Sequence, residues 1–423
     1  MLPQVPVSEK RLDDYRPIVG EETVAEIRAL AQPLRGARVV HINATAYGGG
    51  VAEILQTLVP LMRDVGLDAE WQVIEGADEF FNVTKACHNG LQGMDIPFTD
   101  EMKAIWQRYN EANARRLEGE YDFIIVHDPQ PAGLLHYHGR AGGKHWVWRC
   151  HIDTSQPNPA YWEFFVPYIS QYDAAIFTMR EYVGPGVSFR HLAVIPPTID
   201  PLSPKNAPMS PEEARRTVAR FGVDVRRPLI VQVSRFDPWK DPLGVIDAYR
   251  IVQREVPQVQ LALVGSMAAD DPEGWTYLDR TIRHAGEDFD IYILHNFHGV
   301  GNREVNAFQT AADVVVQKSL REGFGLVVAE ALWKGKPVVG GNAGGIPLQV
   351  IDGETGFLVN SVEECADRVL YLLRHPEEVR RMGAAGREHV RRRFLTTRYL
   401  ADYLRLFGRL AERGQSLGVD AAT

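Results

Sequence analysis

Cysteine is scarce in this 423-residue chain. Its three residues, Cys87, Cys150 and Cys365, stand far apart with no paired spacing, which excludes a disulfide framework and a cysteine-based zinc motif. Long apolar runs are missing too: no stretch approaches the roughly 18 residues of a membrane helix. The opening MLPQVPVSEKRLDDYR has no apolar core of the secretory kind. A basic excess is absent, with a formal net charge of -9 and a pI near 5.8, which argues against a general nucleic-acid or membrane-surface role. The expected setting is therefore cytoplasmic, without nucleic acid or membrane as partner. There is no G-x-S-x-G elbow, no H-E-x-x-H pair and no Walker-type G-x-x-x-x-G-K-[ST] loop.

What is present is ordinary globular material, 45% apolar and 24% charged. The length exceeds one ordinary core and predicts two domains. Short β-branched runs alternate with longer helical patterns, the mark of βαβ units and parallel sheets. ARVVHINA (37–44), AEWQVIEG, YDFIIVHD, HWVWRCHID and AAIFTM read as strands of the first half, with VAEILQTLVPLMRDVG as a helix after the first. LAVIPPTIDP (192–201) reads as a strand leaving that domain. PLIVQVSRF, VQLALVGS, IYILHNF, ADVVVQ and PVVGG form a second series. The Pro-rich SPKNAPMSPEEARR (203–216) marks the boundary, and its Ser-Pro-Glu-Glu is a good helix start. The expected division is 1–202, 203–395, and a C-terminal helix 396–423 able to cross back to the first domain. The fold class is α/β, two Rossmann-like domains facing across a cleft. Ligands of such sheets bind beyond the strand C-termini.

Two carboxylates carry the densest signal. Glu322 and Glu330 bracket the Gly-Phe-Gly turn of REGFGLVVAEALWKGKPVVGG (321–341). Gly323 and Gly325 allow tight turning and free amides at a helix start, and Glu330 lies inside the helix expected from Leu326 to Lys334. Fully helical, that spacing would rise roughly 12 Å, suiting a carboxylate at each end of a phosphate-bearing ligand. The plainer alternative makes Glu322 a first-turn dipole partner and Glu330 a solvated helix residue. Arg235 and Lys240 of SRFDPWKDP follow the second domain's first strand, where a fork and a point charge suit a diphosphate; unpaired surface cations are the alternative. Gly48-Gly49-Gly50 opens a helix after the first strand, fit for close approach to phosphate or sugar, or a tight turn only. His151 and Asp153 end another strand, where they could bond sugar hydroxyls, and His127 and Asp128 are placed similarly; a structural histidine is the competing reading. Asp270, Asp271 and Glu273 read as a solvated acidic loop, and no metal site is expected.

Together these residues resemble the retaining nucleotide-sugar glycosyltransferases of family 4, with the GT-B fold. The resemblance rests on SRFDPWKDP, EGFGLVVAE and ALWKGKPVVGGNAGGIPLQVIDGETGFLV in that order. NATAYGGGVAEIL, VHDPQPAGLL and WRCHIDTSQPN look like the trehalose synthase branch, to which trehalose phosphorylases are similar. The resemblance implies that Arg235 and Lys240 hold the donor diphosphate and stabilise the leaving group. Glu322, with the amides of Gly323, Phe324 and Gly325 and with Leu326, would hold the transferred glucose, and Glu330 the ribose. Gly49 and Gly50 would approach the donor, His151 the glucose, and Asp153 the acceptor. The implied partners are a nucleoside-diphosphate glucose, glucose and trehalose, with a homodimer as the commonest soluble assembly. No cofactor is required in that reading, and magnesium would at most stimulate. A hinge near Pro196–Ser210 is expected. A phosphorylase using inorganic phosphate, a sucrose-type transferase and a non-catalytic nucleotide-sugar sensor are the competing readings.

Overall fold

The computed structural model describes residues 1–47, 49–267 and 272–419, with the side chains of 272 and 413–419 left out. Gly48, Asp270 and Asp271 therefore lie outside the described residues. The chain forms two compact α/β units, Met1–Pro197 with Thr396–Thr423, and Thr198–Leu395.

In the first unit, β1 (Arg38–Asn43), β2 (Asp68–Val73), β3 (Tyr121–His127), β4 (Gly143–Arg149), β5 (Ala174–Phe177) and β6 (Leu192–Val194) make one parallel sheet. Its order is β2-β1-β3-β4-β5-β6. Alternation along the strands sorts side chains to opposite faces. Val40, Ile42, Ile124, Val126, Trp146 and Trp148 join one core cluster with Trp106, Tyr161 and Phe165. The other face meets the helix Thr396–Val419, where Phe123 stacks on Phe407 with ring centroids 4.2 Å apart. That helix also packs on Glu21–Ala31 and Gly49–Asp64.

The second unit repeats the plan with β7 (Leu229–Val233), β8 (Gln260–Val264), β9 (Ile291–Leu294), β10 (Val314–Gln317), β11 (Val338–Gly341) and β12 (Gly356–Val359), ordered β12-β11-β10-β7-β8-β9 and parallel throughout. In both sheets the order reverses beside the first strand, between β1 and β3 and between β7 and β10. These are the points where loops diverge and leave a crevice beyond the strand ends.

Two readings are revised. The units divide at Pro197–Thr198, ahead of the expected 202/203 boundary, because the Ile199 amide donates to Phe394 O at 2.9 Å and ties that segment to the second unit. β12, within DGETGFLV, is a strand that short Gly-bounded patterning did not reveal. The helix expected from Leu326 to Lys334 is found at Leu326–Trp333; Gly325 takes φ 81° and breaks the backbone before it, so Glu322 precedes the helix and Glu330 lies within it.

Candidate functional site

In the second unit the loops after β7 and β10 meet at the reversal point. Asp237 shapes the first by accepting from the amides of Trp239 (2.9 Å) and Lys240 (3.1 Å), closing the turn Pro238–Lys240. Gln232 Nε2 donates to Lys240 O at 2.8 Å and holds the loop over the strand end. Asp241 then caps the helix Pro242–Glu255 through the Gly244 amide and pairs with the buried Lys318. Across the loops, the Leu320 amide donates to Trp239 O at 2.8 Å, and the Arg321 guanidinium lies 4.8 Å from the Trp239 ring centroid.

The Lys240 ammonium donates to Glu322 Oε2 at 2.6 Å, with side chains only 15% and 8% exposed. Ser319 Oγ donates to the same oxygen at 3.1 Å and itself accepts from Gln317 Nε2. Two residues singled out separately in the sequence are thus one ion pair. Arg235 stands apart from it, 71% exposed and 3.1 Å from Asp237 Oδ2. This arrangement offers an exposed guanidinium and a buried ammonium, a combination suited to an anionic ligand.

The turn Gly323–Gly325 is pinned by its carbonyls. Gln349 Nε2 donates to Phe324 O at 2.6 Å, and the Gly345 amide donates to Gly323 O at 3.1 Å. A Cβ on Gly345 would sit 2.7 Å from Phe324 Cα, so only glycine allows that approach. The Phe324 side chain is buried with its ring centroid 5.5 Å from that of Phe394; its ring belongs to the core, and only its backbone faces service at the site. With the carbonyls engaged, the helix starting at Leu326 directs its first amides outward from its N-terminus, where no intrahelical acceptor exists.

Glu330 is fully buried in that helix, with Lys205 Nζ 3.4 Å from Oε1. The solvated-helix alternative does not hold for it. Lys334, one turn on, bonds Asn206 Oδ1 and Gln309 Oε1. Nothing in the sequence pattern linked Lys205, Ser319, Gln349 or the Lys318–Asp241 pair to these motifs. Lys318 meets Asp241 through the adjacency of β10 and β7, whereas Lys205 and Gln349 come from the segment ahead of Pro211 and from the short helix Ile346–Gln349.

In the first unit, Gly49 and Gly50 are the exposed first residues of the helix Gly49–Asp64. His151 follows β4 and is partly exposed; its Nε2 lies 3.0 Å from His127 Nδ1, and His127 Nε2 lies 2.9 Å from His41 Nδ1. Burial drives His41 down to about 3 and holds His127 and His151 well below the usual imidazole range. The Arg149 charge presses the latter two the same way. Arg149 ends β4 fully buried, under the Tyr399 ring of the C-terminal helix, and its nitrogens have no hydrogen-bond partner among the described residues. Asp128 adopts φ 65° and accepts from the His151 amide at 2.7 Å; burial raises its carboxyl to about 7. Asp153 bonds the Ser155 amide at 2.9 Å, so part of its capacity shapes its own loop. His41 and Arg149 escaped the sequence reading, each resembling an ordinary strand residue.

Both units match known protein families. Residues 41–184 match the family described as trehalose synthase, N-terminal domain, and residues 215–389 match glycosyl transferases group 1. Over 414 residues the chain is 56% identical to a trehalose synthase of Rubrobacter xylanophilus, covering 97% of this chain and 99% of that one. A trehalose phosphorylase of Pleurotus pulmonarius is 28% identical and spans 90% of this chain but 58% of its own length. Among solved structures, an α,α-trehalose 6-phosphate synthase from Burkholderia multivorans shares the fold, with a TM-score of 0.69 at 15% identity over 92% of this chain and 99% of that one.

Proposed function

Because the chain belongs to the trehalose synthase family of group 1 glycosyl transferases, we propose that it is a retaining hexosyltransferase forming trehalose from a nucleoside-diphosphate glucose and free glucose, reversibly. The observation that carries this reading is the junction of the two loops, with Lys240 on Glu322 at 2.6 Å, Arg235 at the rim and the amides at Leu326 alongside. It supports a ligand with a charged diphosphate next to a hydroxyl-bearing ring.

Breaking the bond between the glucose anomeric carbon and the diphosphate oxygen leaves an oxocarbenium-like sugar and an anion. Arg235, Lys240 and the helix N-terminus oppose that growing negative charge from fixed positions. The acceptor hydroxyl attacks on the face the diphosphate leaves, and its proton passes to the departing phosphate oxygen. Glu322 then serves as a positioning carboxylate: its Oε2 is already committed to Lys240 and Ser319. The Gly323–Gly325 backbone and Leu326 bind the glucose with it, Glu330 takes the ribose once Lys205 yields, and His151, Asp153, Gly49 and Gly50 serve sugar and donor from the first unit. The cations supply the counter-charge, so no bound metal is needed, and magnesium acts only through the nucleotide. In this assignment the protein works in the cytoplasm.

The test is a matrix of UDP-, ADP- and GDP-glucose, and of glucose 1-phosphate, against free glucose, with product linkage assigned by NMR. α,α-Trehalose formed from a nucleotide donor is the expected product. Turnover with glucose 1-phosphate alone would make the protein a phosphorylase, and no turnover with any pair would leave a sensor. A glycosyl–Glu322 adduct trapped in mass spectrometry would overturn the role given to that residue.

A further inference from the structure

His41 from β1, His127 from β3 and His151 after β4 form a continuous line of imidazoles, with nitrogen–nitrogen distances of 2.9 and 3.0 Å. The His127 and His151 rings are nearly parallel at 14°, and the His41 and His127 rings are tilted by 35°. The line runs from the fully buried His41 to the partly exposed His151. At its inner end His41 Nε2 is buried with no hydrogen-bond partner among the described residues. A proton moved along the line has nowhere to leave, so the line is no proton wire. Its geometry serves to fix tautomers.

The count of protons makes this definite. Burial keeps all three rings neutral, and the Arg149 charge acts the same way on His127 and His151, so each ring carries one N–H. Two links need one N–H each, which leaves two arrangements, both unidirectional. In one, donation runs inward from His151 Nε2 to His41; His41 then buries an unmatched N–H, and His151 Nδ1 is a bare lone pair. In the other, His41 Nδ1 donates to His127 Nε2 and His127 Nδ1 donates to His151 Nε2. The buried end is then an unmatched lone pair, and His151 Nδ1 carries the N–H. Orphaned buried donors are rarer than under-satisfied acceptors, which favours the second arrangement.

We propose that His41 and His127 are positioning residues that hold His151 as the Nδ1–H tautomer, making it an obligate hydrogen-bond donor to a sugar oxygen. The inference rests on the assignment of His151 to the sugar, and its first readout is independent of that assignment. Asp128 fixes the backbone end of the same device by accepting from the His151 amide. The line sets the ring's proton while Asp128 sets the ring's place.

The experiment is long-range 1H–15N correlation spectroscopy on the full chain labelled with 15N-histidine, with His151 assigned from the spectrum of His151→Gln. The expected native result is a single His151 tautomer protonated at Nδ1, and protonation at Nε2 overturns the proposal without any further variant. His41→Phe fills the same space but cannot donate; it should give a mixture of His151 tautomers and about tenfold lower kcat with little change in KM for the nucleotide. His41→Asn restores a donor near the Nδ1 position and should recover both the single tautomer and the rate. A His41→Phe protein that keeps the native tautomer refutes the device, whatever its activity. A fixed Nδ1–H tautomer in a protein without transferase turnover would sink the proposed function and leave the imidazole line standing.

Discussion

Lys240→Met removes the ammonium that lies 2.6 Å from Glu322 and leaves a carboxylate only 8% exposed, with Ser319 still bonded to it. Breaking a buried ion pair from one side costs about 3–5 kcal/mol. The remaining hydroxyl bond and the 15% exposure of Lys240 place this case near the lower end, about 3 kcal/mol. Glu322→Gln costs less, because an amide tolerates the ammonium and Lys240 reaches more water. The pair joins loops from two strands, so the loss is local, and hydrogen exchange in 234–241 and 318–325 should accelerate about 100-fold in Lys240→Met. A full double-mutant cycle with Lys240→Met and Glu322→Gln should give a coupling of about 1.5–3 kcal/mol. Transfer rates of the Lys240 variant should fall about 100- to 1,000-fold, as for the loss of one preorganised charge at a developing anion. Coupling within about 0.5 kcal/mol of zero would refute the energetic argument. A near-native transfer rate in Lys240→Met would refute the role of this cation in departure of the diphosphate.

Arg235→Ala separates catalysis from stability: the residue is 71% exposed, so thermal unfolding should not shift while kcat/KM drops by about two orders of magnitude. Gly325→Ala forces a side chain into φ 81° with its Cβ 3.1 Å from Glu322 Cγ; a loss of about 1–2 kcal/mol by urea unfolding and weaker donor binding by calorimetry are expected. Burial lowers His41 from 6.5 to about 3, so its neutral form contributes stability that is complete above pH 6.5 and is lost as pH falls toward 3, about 5 kcal/mol in all. Asp128, raised to about 7, has the opposite slope, and the difference in pH-dependent unfolding between native protein and His41→Asn isolates the histidine as a flatter acid limb in the variant. Chelation by EDTA should leave the transfer rate within the same order of magnitude; a collapse restored by magnesium would reassign the counter-charge to a metal.

Strand positions were legible because fully buried parallel strands write themselves as short β-branched runs. VVHI, FIIV, LIVQV and VVVQ are the centres of β1, β3, β7 and β10. β12 was not, since GFLV follows a turn and is too short to show a period. The E-x7-E spacing located the start of the helix and the carboxylates either side of it, but not what either carboxylate bonds. Glu322 stands before the helix and pairs with Lys240, and Glu330 is buried within it beside Lys205.

The sequence by itself determined the alternation of strands and helices, the two-unit plan, and which loops carry cations, carboxylates and glycines, because backbone period and turn chemistry are local. Tertiary structure decided the partnerships. Lys240 finds Glu322 across 82 residues because β10 lies beside β7. His41 finds His127 across 86 because β1 lies beside β3. The burial that keeps those imidazoles neutral comes from layers of sheet and helix distant in the chain. Strand order and desolvation are sums over the whole fold, and no residue's neighbours in sequence record them.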